Sequence, residues 1–315
     1  MNKISTLLLY LLGLFSLINC SKDNDANPAD EIQWKKQISS TSAVFLGVSF
    51  TDEAKGYAVG TLGTIKVTTN GGVAWSNQTS GTGKFLRDIY FSDATTGTIV
   101  GESGLILRST DGTSWVPQTS GTSEHLVHVH FANNSIGLAT GQGGVILTTT
   151  DGGTTWTSQS SGTTVELPGV FLLTTTTAIA VGFGGTVLRT TNGGANWTSV
   201  AVAGLSSDLR SVHFSGNTGV AVSIGGKIIR TTDAGLSWTI VSSGTTSDLY
   251  TVHFVDSNLI YAAGTGEIIV SSDAGATWSA AKTDFFGGDL YGLALKGTKG
   301  WAVGQNGLIL HSEMN

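Results

Sequence analysis

The chain is poor in cysteine, proline and charge: one Cys, three Pro and 12% charged residues in 315. A single cysteine excludes a disulfide framework and a multi-thiolate metal centre. A net formal charge of −6, with no basic cluster, lacks the electrostatic footprint of a nucleic-acid binder. Beyond the N-terminal segment no window carries the 3.6-residue periodicity of an amphipathic helix. Disorder is excluded as well, because apolar residues make up 40% of the chain and recur regularly. What the chain has in abundance is glycine, 44 residues, alongside Thr, Ser, Val and Ile. That mixture predicts many short strands joined by tight turns.

One segment sets the pattern. Gly141–Trp156 reads as a Gly turn, an apolar strand, a Thr run, an Asp-Gly-Gly turn and a Trp that opens another strand. Trp34, Trp75, Trp115, Trp156, Trp197, Trp238 and Trp278 follow one another at intervals of 40 or 41 residues. A period near 40 with four strand-like runs per unit is the signature of a β-propeller. Six units are complete, at 44–78, 85–118, 126–159, 167–200, 209–241 and 249–281. The seventh begins at Leu290 and ends without its Trp strand, which stands at the other end of the chain around Trp34. Trp301 takes the second-strand place held by Tyr57 in the first unit. The expected fold is all-β: a seven-bladed β-propeller of four-stranded antiparallel blades, its ring closed by the N-terminal strand completing the last blade. Closure of this kind leaves only short, protected edges.

Residues 1–19 form the other distinct region. One Lys precedes an apolar run, Leu7 to Ile18, too short to cross a bilayer core of about 30 Å, so a signal peptide is expected. Leu17-Ile18-Asn19-Cys20 resembles a bacterial lipobox, which implies lipidation of Cys20. Multiple acyl chains on that Cys would anchor it stably. Residues 20–31 read as a flexible polar tether, leaving 32–315 for the propeller. Export and lipid anchoring at the outer membrane follow from this reading, with the cell surface as the alternative. The membrane is engaged through Cys20 only, and a monomer is expected.

The motif [Ser/Thr]-x-[Asp/Asn]-x-Gly-x-x-Trp at Thr68–Trp75, Thr149–Trp156, Thr190–Trp197, Thr231–Trp238 and Ser271–Trp278, with a shorter copy at Ser109–Trp115, resembles the Asp-box of bacterial neuraminidase repeats. Its acids and amides are Asn70, Asp111, Asp151, Asn192, Asp233 and Asp273. Six copies spread around a ring cannot form one active site, so these residues are assigned to the structure of their own turns. The wider unit, Leu-Arg-x-Val-x-Phe followed by Gly-x-x-Gly and the Asp-box, resembles the photosystem II assembly and stability factor family over about 32–315. That resemblance implies a scaffold without enzymatic activity, engaging a partner protein through an arginine-rich patch. Of the patch, Arg87 and Arg210 match; Leu46, Val127, Pro168, Tyr250 and Tyr291 hold the equivalent positions.

Function is therefore sought where the repeats differ. Glu166, Asp208, Asp248 and Asp289 share one position ahead of the first strand, and Arg87, Arg210, Tyr250 and Tyr291 lie two residues on. First strands line the channel, so these eight residues are expected around one mouth, facing away from the Asp-boxes. Glu102, Gln142, Phe183, Gln305 and Asn306 of the Gly-x-x-Gly turns share that face, and Phe285 and Phe286 are further aromatics there. The bland alternative has each acid capping its own loop. His130, His213 and His253 share another position with Tyr90 and Phe171, which suits packing between blades better than a metal site. The Gly182–Gly185 turn is followed by a strand, so it is no dinucleotide fingerprint. No cofactor and no metal are implied. Arg108, Arg189 and Arg230 occupy one third-strand position on separate blades, which disfavours a sialidase. The expected function is a non-catalytic, lipid-anchored propeller that binds an unknown protein or peptide, with a surface glycan-binding or glycan-hydrolysing propeller as the alternative.

Overall fold

Each unit ends its first strand in a large apolar residue and opens its last strand with Trp, and in blades one, two, three and five the rings of a Phe and this Trp meet inside the blade. The computed structural model describes residues 33–283 and 287–313. Phe50 meets Trp75 edge-on at 6.0 Å and 88°, Phe131 meets Trp156 at 6.0 Å and 80°, and Phe214 meets Trp238 at 5.7 Å and 82°. Such pairs contribute about 0.5–1.5 kcal/mol beyond their buried area. The glycine opening the second strand makes room for the Phe: a Cβ on Gly56 or Gly219 would collide with the ring of Phe50 or Phe214.

The strands assemble into seven sheets, six of four strands and one of five. In each, the first strand is innermost, and all seven inner strands contribute to the wall of one central channel. Among the described residues, helix is confined to one-turn 3₁₀ segments such as Glu102–Gly104, and no helix is long and apolar enough to cross a membrane. The last residue of that turn, Gly104, has φ +67°, and a Cβ there would strike the carbonyl oxygen of Thr122. This close approach accounts for the second glycine of the Gly-x-x-Gly pattern.

Neighbouring blades are fastened by side chains reaching across. The Tyr57 hydroxyl donates to Gly112 O at 2.9 Å, and Trp301 Nε1 donates to Gly71 O at 3.0 Å. The two residues do the same job, as their shared repeat position suggests. Nε of Arg108, Arg189 and Arg230 donates to the carbonyls of Gly152, Ala234 and Ala274 at 2.6, 3.1 and 2.7 Å. These arginines hold the next blade's Asp-box turn and do not converge.

Ring closure follows the expected route. Gln33–Gln37 pairs antiparallel with Ile309–Glu313 as the outer strand of the seventh blade. A fifth strand, Lys282–Thr283, pairs parallel with its start, a clasp the repeat pattern did not announce. Trp34 is fully buried there, edge-on to Tyr261 of the sixth blade at 5.6 Å. The N-terminal strand enters its blade from the Asp-box side, since Lys35 faces His311 while Gln37 faces Ile309 nearer the channel mouth. The expected signal peptide, the expected tether with Cys20, and Phe285 and Phe286 lie outside the described residues.

Candidate functional site

The Asp-box turns come first, because they carry the acids that a sequence motif would nominate. Oδ1 of Asn70, Asp151, Asn192 and Asp273 accepts a backbone N–H four residues on, at 2.8–3.0 Å. Asp233 does the same with Ser237, and Asp111, in the shorter copy, accepts from Thr113 and Ser114. The leading hydroxyl also closes the turn, as Thr68 Oγ1 does by accepting from Gly72 N at 2.8 Å. These donors favour the charged carboxylate. The Thr155 amide, then its hydroxyl, lowers Asp151 to about 2, and the Ser237 hydroxyl heads the groups that lower Asp233 to about 2. Every acceptor is engaged within its own turn, on the face opposite the inner-strand entrances.

At the other face the channel opens, with a cavity of about 730 Å³. Arg87, Glu166, Arg210, Tyr250 and Tyr291 line it, together with Leu46, Val127 and Pro168. Arg87 stands on blade two and Arg210 on blade five, three blades apart in a ring of seven, so they face each other across the axis. Nε of each is buried and has no hydrogen-bond partner. The Arg210 guanidinium lies over the Phe183 ring at 4.5 Å. On blades six and seven, the Tyr250 and Tyr291 rings lie 5.2 Å apart, and their hydroxyls donate to Asp248 Oδ2 and Asp289 Oδ2 at 3.4 and 3.0 Å. Burial, with the neighbouring carboxylates adding to it, raises both phenols above their ordinary value.

Three of the four acids bond the turn of the preceding blade rather than their own loop. Asp208 Oδ1 accepts Gly184 N–H at 2.9 Å and Asp248 Oδ1 accepts Gly225 N–H at 2.8 Å, in each case from the turn of the preceding blade. Asp289 likewise accepts the Thr265 hydroxyl at 2.8 Å. His125 occupies the same position in blade three and accepts Ser103 N–H at 3.0 Å. The reason is geometric: the 3₁₀ turn leaves a middle N–H without an intrahelical partner, and the next blade's strand entrance is the nearest acceptor. Glu166 lines the channel wall. Of the neighbouring turn residues, Glu102 accepts Phe85 N–H at 3.0 Å and Gln305 donates to Asp289.

Below the mouth lies a layer that repeat counting passed over. Asp88 Oδ2 accepts Val129 N–H at 3.0 Å and lies 3.7 Å from His128 Nε2. Burial pushes the Asp88 carboxyl above its ordinary value, partly offset by His128. His128 Nδ1 is buried without a partner. The available signal was variation: the same position reads Gly47, Asp88, His128, Gly169, Ser211, Thr251 and Gly292. One layer further down, Tyr90, His130, Phe171, His213 and His253 form a crescent with successive ring centroids 5.0, 4.3, 4.8 and 4.1 Å apart. His130 Nδ1 accepts Leu172 N–H and His213 Nδ1 accepts Phe254 N–H, each from the next blade. Burial is the main cause that lowers His130 to about 3, His253 to about 4, and His213 well below the ordinary range. The histidines thus pack between blades, and among the described residues no group of three His, Cys, Asp or Glu is placed to hold a metal.

Comparison with known proteins adds a family signal and a fold. Residues 75–179 match the family model of the photosynthesis system II assembly factor YCF48. No curated protein matches the chain. A solved YCF48 bound to D1 peptide is 22% identical, covering 92% of this chain and 96% of that one, with a TM-score of 0.75. YCF48 from Cyanidioschyzon merolae is also 22% identical, covering 89% and 98%, with a TM-score of 0.72. A catalytically inactive virginiamycin B lyase from Staphylococcus aureus with quinupristin is 13% identical, covering 90% and 99%, with a TM-score of 0.80. At these identities the structural likeness is one of fold, and the chain is a seven-bladed propeller similar to YCF48.

Proposed function

We propose that this protein is a non-catalytic propeller that binds an acidic peptide segment of a partner protein across its channel mouth. The observation that supports this reading is the pair Arg87 and Arg210, each with a buried Nε that has no hydrogen-bond partner, at the wall of an open cavity. A buried donor left unsatisfied costs about 1–3 kcal/mol. A carboxylate or peptide carbonyl at the axis would meet the guanidinium groups through charge-assisted bonds, which are the stronger kind. Phe183, Tyr250 and Tyr291 supply flat faces on which a peptide can rest. The family-model match, and the fold shared with a YCF48 bound to D1 peptide, favour the same mode of use.

The second part of the proposal is the anchor. With a lipid on Cys20, the ring would hang by its Asp-box face, because the N-terminal strand enters from that side. The mouth would then face away from the bilayer, toward a partner in the aqueous phase. The outer membrane is the proposed location, with the surface-exposed leaflet as the alternative.

Arrays of acidic peptides and of glycans, probed with the full chain and with the Arg87→Ala/Arg210→Ala double variant, test the binding proposal. Peptide binding that weakens at least about tenfold in the double variant is expected, corresponding to about 1.4 kcal/mol. Sugar binding that survives the double variant but is lost in Tyr250→Ala/Tyr291→Ala would replace it with the glycan reading. Sugar hydrolysis abolished by Asp248→Asn would replace it with an enzyme.

A further inference from the structure

We infer that the channel between blades seven and one is a pocket for a single bulky apolar side chain of the bound peptide. The inference rests on the peptide-binding proposal above and specifies what that peptide must carry. Five of the seven blades present a ring at the crescent level, whereas blades one and seven present Ser49 and Ala294. The crescent is therefore open on one side.

Two observations agree on that opening. First, the cavity reaches a layer deeper only there: its wall includes Phe50, Phe91 and Leu295 of blades one, two and seven, but not the corresponding Phe131, Leu172 or Phe214. Second, the core residues behind the crescent are more exposed at the gap. Val48 and Leu293 keep 8% and 7% exposure, against 0–3% for Ile89, Val129, Val170, Val212 and Val252.

The lining decides the chemistry of the occupant. Val48, Phe50, Leu293, Ala294 and Leu295 are apolar, Ser49 is the one hydroxyl at crescent level in the gap, and Lys296 follows Leu295 at its deep end. Water in such a space gains few partners, so an apolar group displaces it favourably. The rim continues the same surface. Leu46 lines the entrance on blade one, and Leu62, in the turn above, is 75% exposed with φ 57°. Other turns place Ser103, Gly143, Gly184, Gly225 or Asn306 at that left-handed position. A leucine there is held in an unfavourable conformation with its side chain in water, as expected for a residue that gains its contacts from a ligand. Arg87, on the blade next to the gap, supplies charge complementarity for an acidic group on the same peptide. The occupant is thus a Leu- to Phe-sized side chain within a few residues of a carboxylate.

The repeat itself provides the test. Phe171 and Tyr90 occupy the positions equivalent to Ala294 and Ser49, so Ala294→Phe and Ser49→Tyr fill the gap with residues that this fold already accommodates. The probes are acetylated heptapeptides carrying one Glu and one variable residue X at permuted spacings, with X as Ala, Leu or Phe. Binding is followed by fluorescence polarisation of labelled peptides, with thermal melting to establish folding. On the unmodified chain, X as Leu or Phe should bind at least tenfold more tightly than X as Ala. That advantage should vanish in Ala294→Phe, with Ser49→Tyr as the second variant, while Arg87→Ala should weaken all three peptides alike. Peptides that depend on Arg87 but not on X would overturn the pocket and leave the peptide reading standing. An X preference that persists in both folded variants would also overturn it. Absence of peptide binding at every spacing would remove both proposals.

Discussion

Replacing Trp34 with Ala tests whether the N-terminal strand holds the ring shut. Trp34 is fully buried and packs with Tyr261, Ile268 and Val270 of blade six and Leu290 and Leu310 of blade seven. Trp-to-Ala changes in a packed core cost about 3–5 kcal/mol, and the edge-on contact with Tyr261 puts this site near the upper end. Total stabilities of about 5–15 kcal/mol make that a large fraction of the whole. Trp197 holds the same repeat position in blade four but is only half-buried, so Trp197→Ala is expected to cost about 2 kcal/mol. Urea unfolding followed by far-ultraviolet circular dichroism measures both. Hydrogen exchange supplies the second readout: Trp34→Ala should deprotect Ile309–Glu313, the strand that pairs with the closing one. Trp238→Ala, at a Trp also buried in blade five, should leave that strand protected. The reasoning fails if Trp34→Ala costs no more than Trp197→Ala, or if 309–313 keeps its protection.

Two further outcomes follow from the channel and the blade contacts. The crescent histidines have folded values depressed below the ordinary 6.5, to about 3 for His130 and about 4 for His253, with His213 also well below. Their stabilising contribution is therefore full above pH 6.5 and lost as the pH falls through about 4, while the raised carboxyl of Asp88 acts in the opposite sense. Urea midpoints should fall between pH 7 and 4.5, and less so in His213→Phe; a midpoint that does not change over this range contradicts the assignment. Among the arginines, Arg230→Ala removes a 2.7 Å bond to Ala274 O and should cost about 1–3 kcal/mol. Arg210→Ala should cost less, since its Nε has no hydrogen-bond partner and only its contact with the Phe183 ring is lost; equal thermal shifts would mean that the mouth arginine is as structural as Arg230.

Much of the architecture could be read directly. The Trp interval counts the blades, and the missing Trp strand after Leu310 together with the extra one at Trp34 implies the closure. Both rest on periodicity: a propeller repeats one packing unit, so each unit needs its own Phe, Trp and glycines. The parallel clasp at Lys282–Thr283 was not legible, because it occurs once and has no counterpart in the repeat.

The mouth was half legible. Aligning the repeats located Arg87, Arg210, Tyr250 and Tyr291, yet it misread what the acids do. Asp208 and Asp248 looked like caps of their own loops because sequence distance made those loops the nearest partners, whereas in space the nearest unsatisfied N–H belongs to the preceding blade. Asp88 and His128 went unnoticed for a related reason. Their pairing crosses two blades, 40 residues apart, and has no counterpart elsewhere in the ring.

The sequence by itself determined the strand order, the blade number and the role of the Asp-box turns, since each of these depends on contacts within one unit or between identical units. Only the tertiary structure decided which side chains are left free. Whether a guanidinium Nε is spent on a carbonyl, as that of Arg230 is, or left without a hydrogen bond at an open cavity, as that of Arg210 is, depends on what the next blade places within about 3 Å. The open side of the crescent was decided in the same way. Ser49 and Ala294 are ordinary small residues until closure sets the first and last blades side by side, and the space between them then belongs to neither.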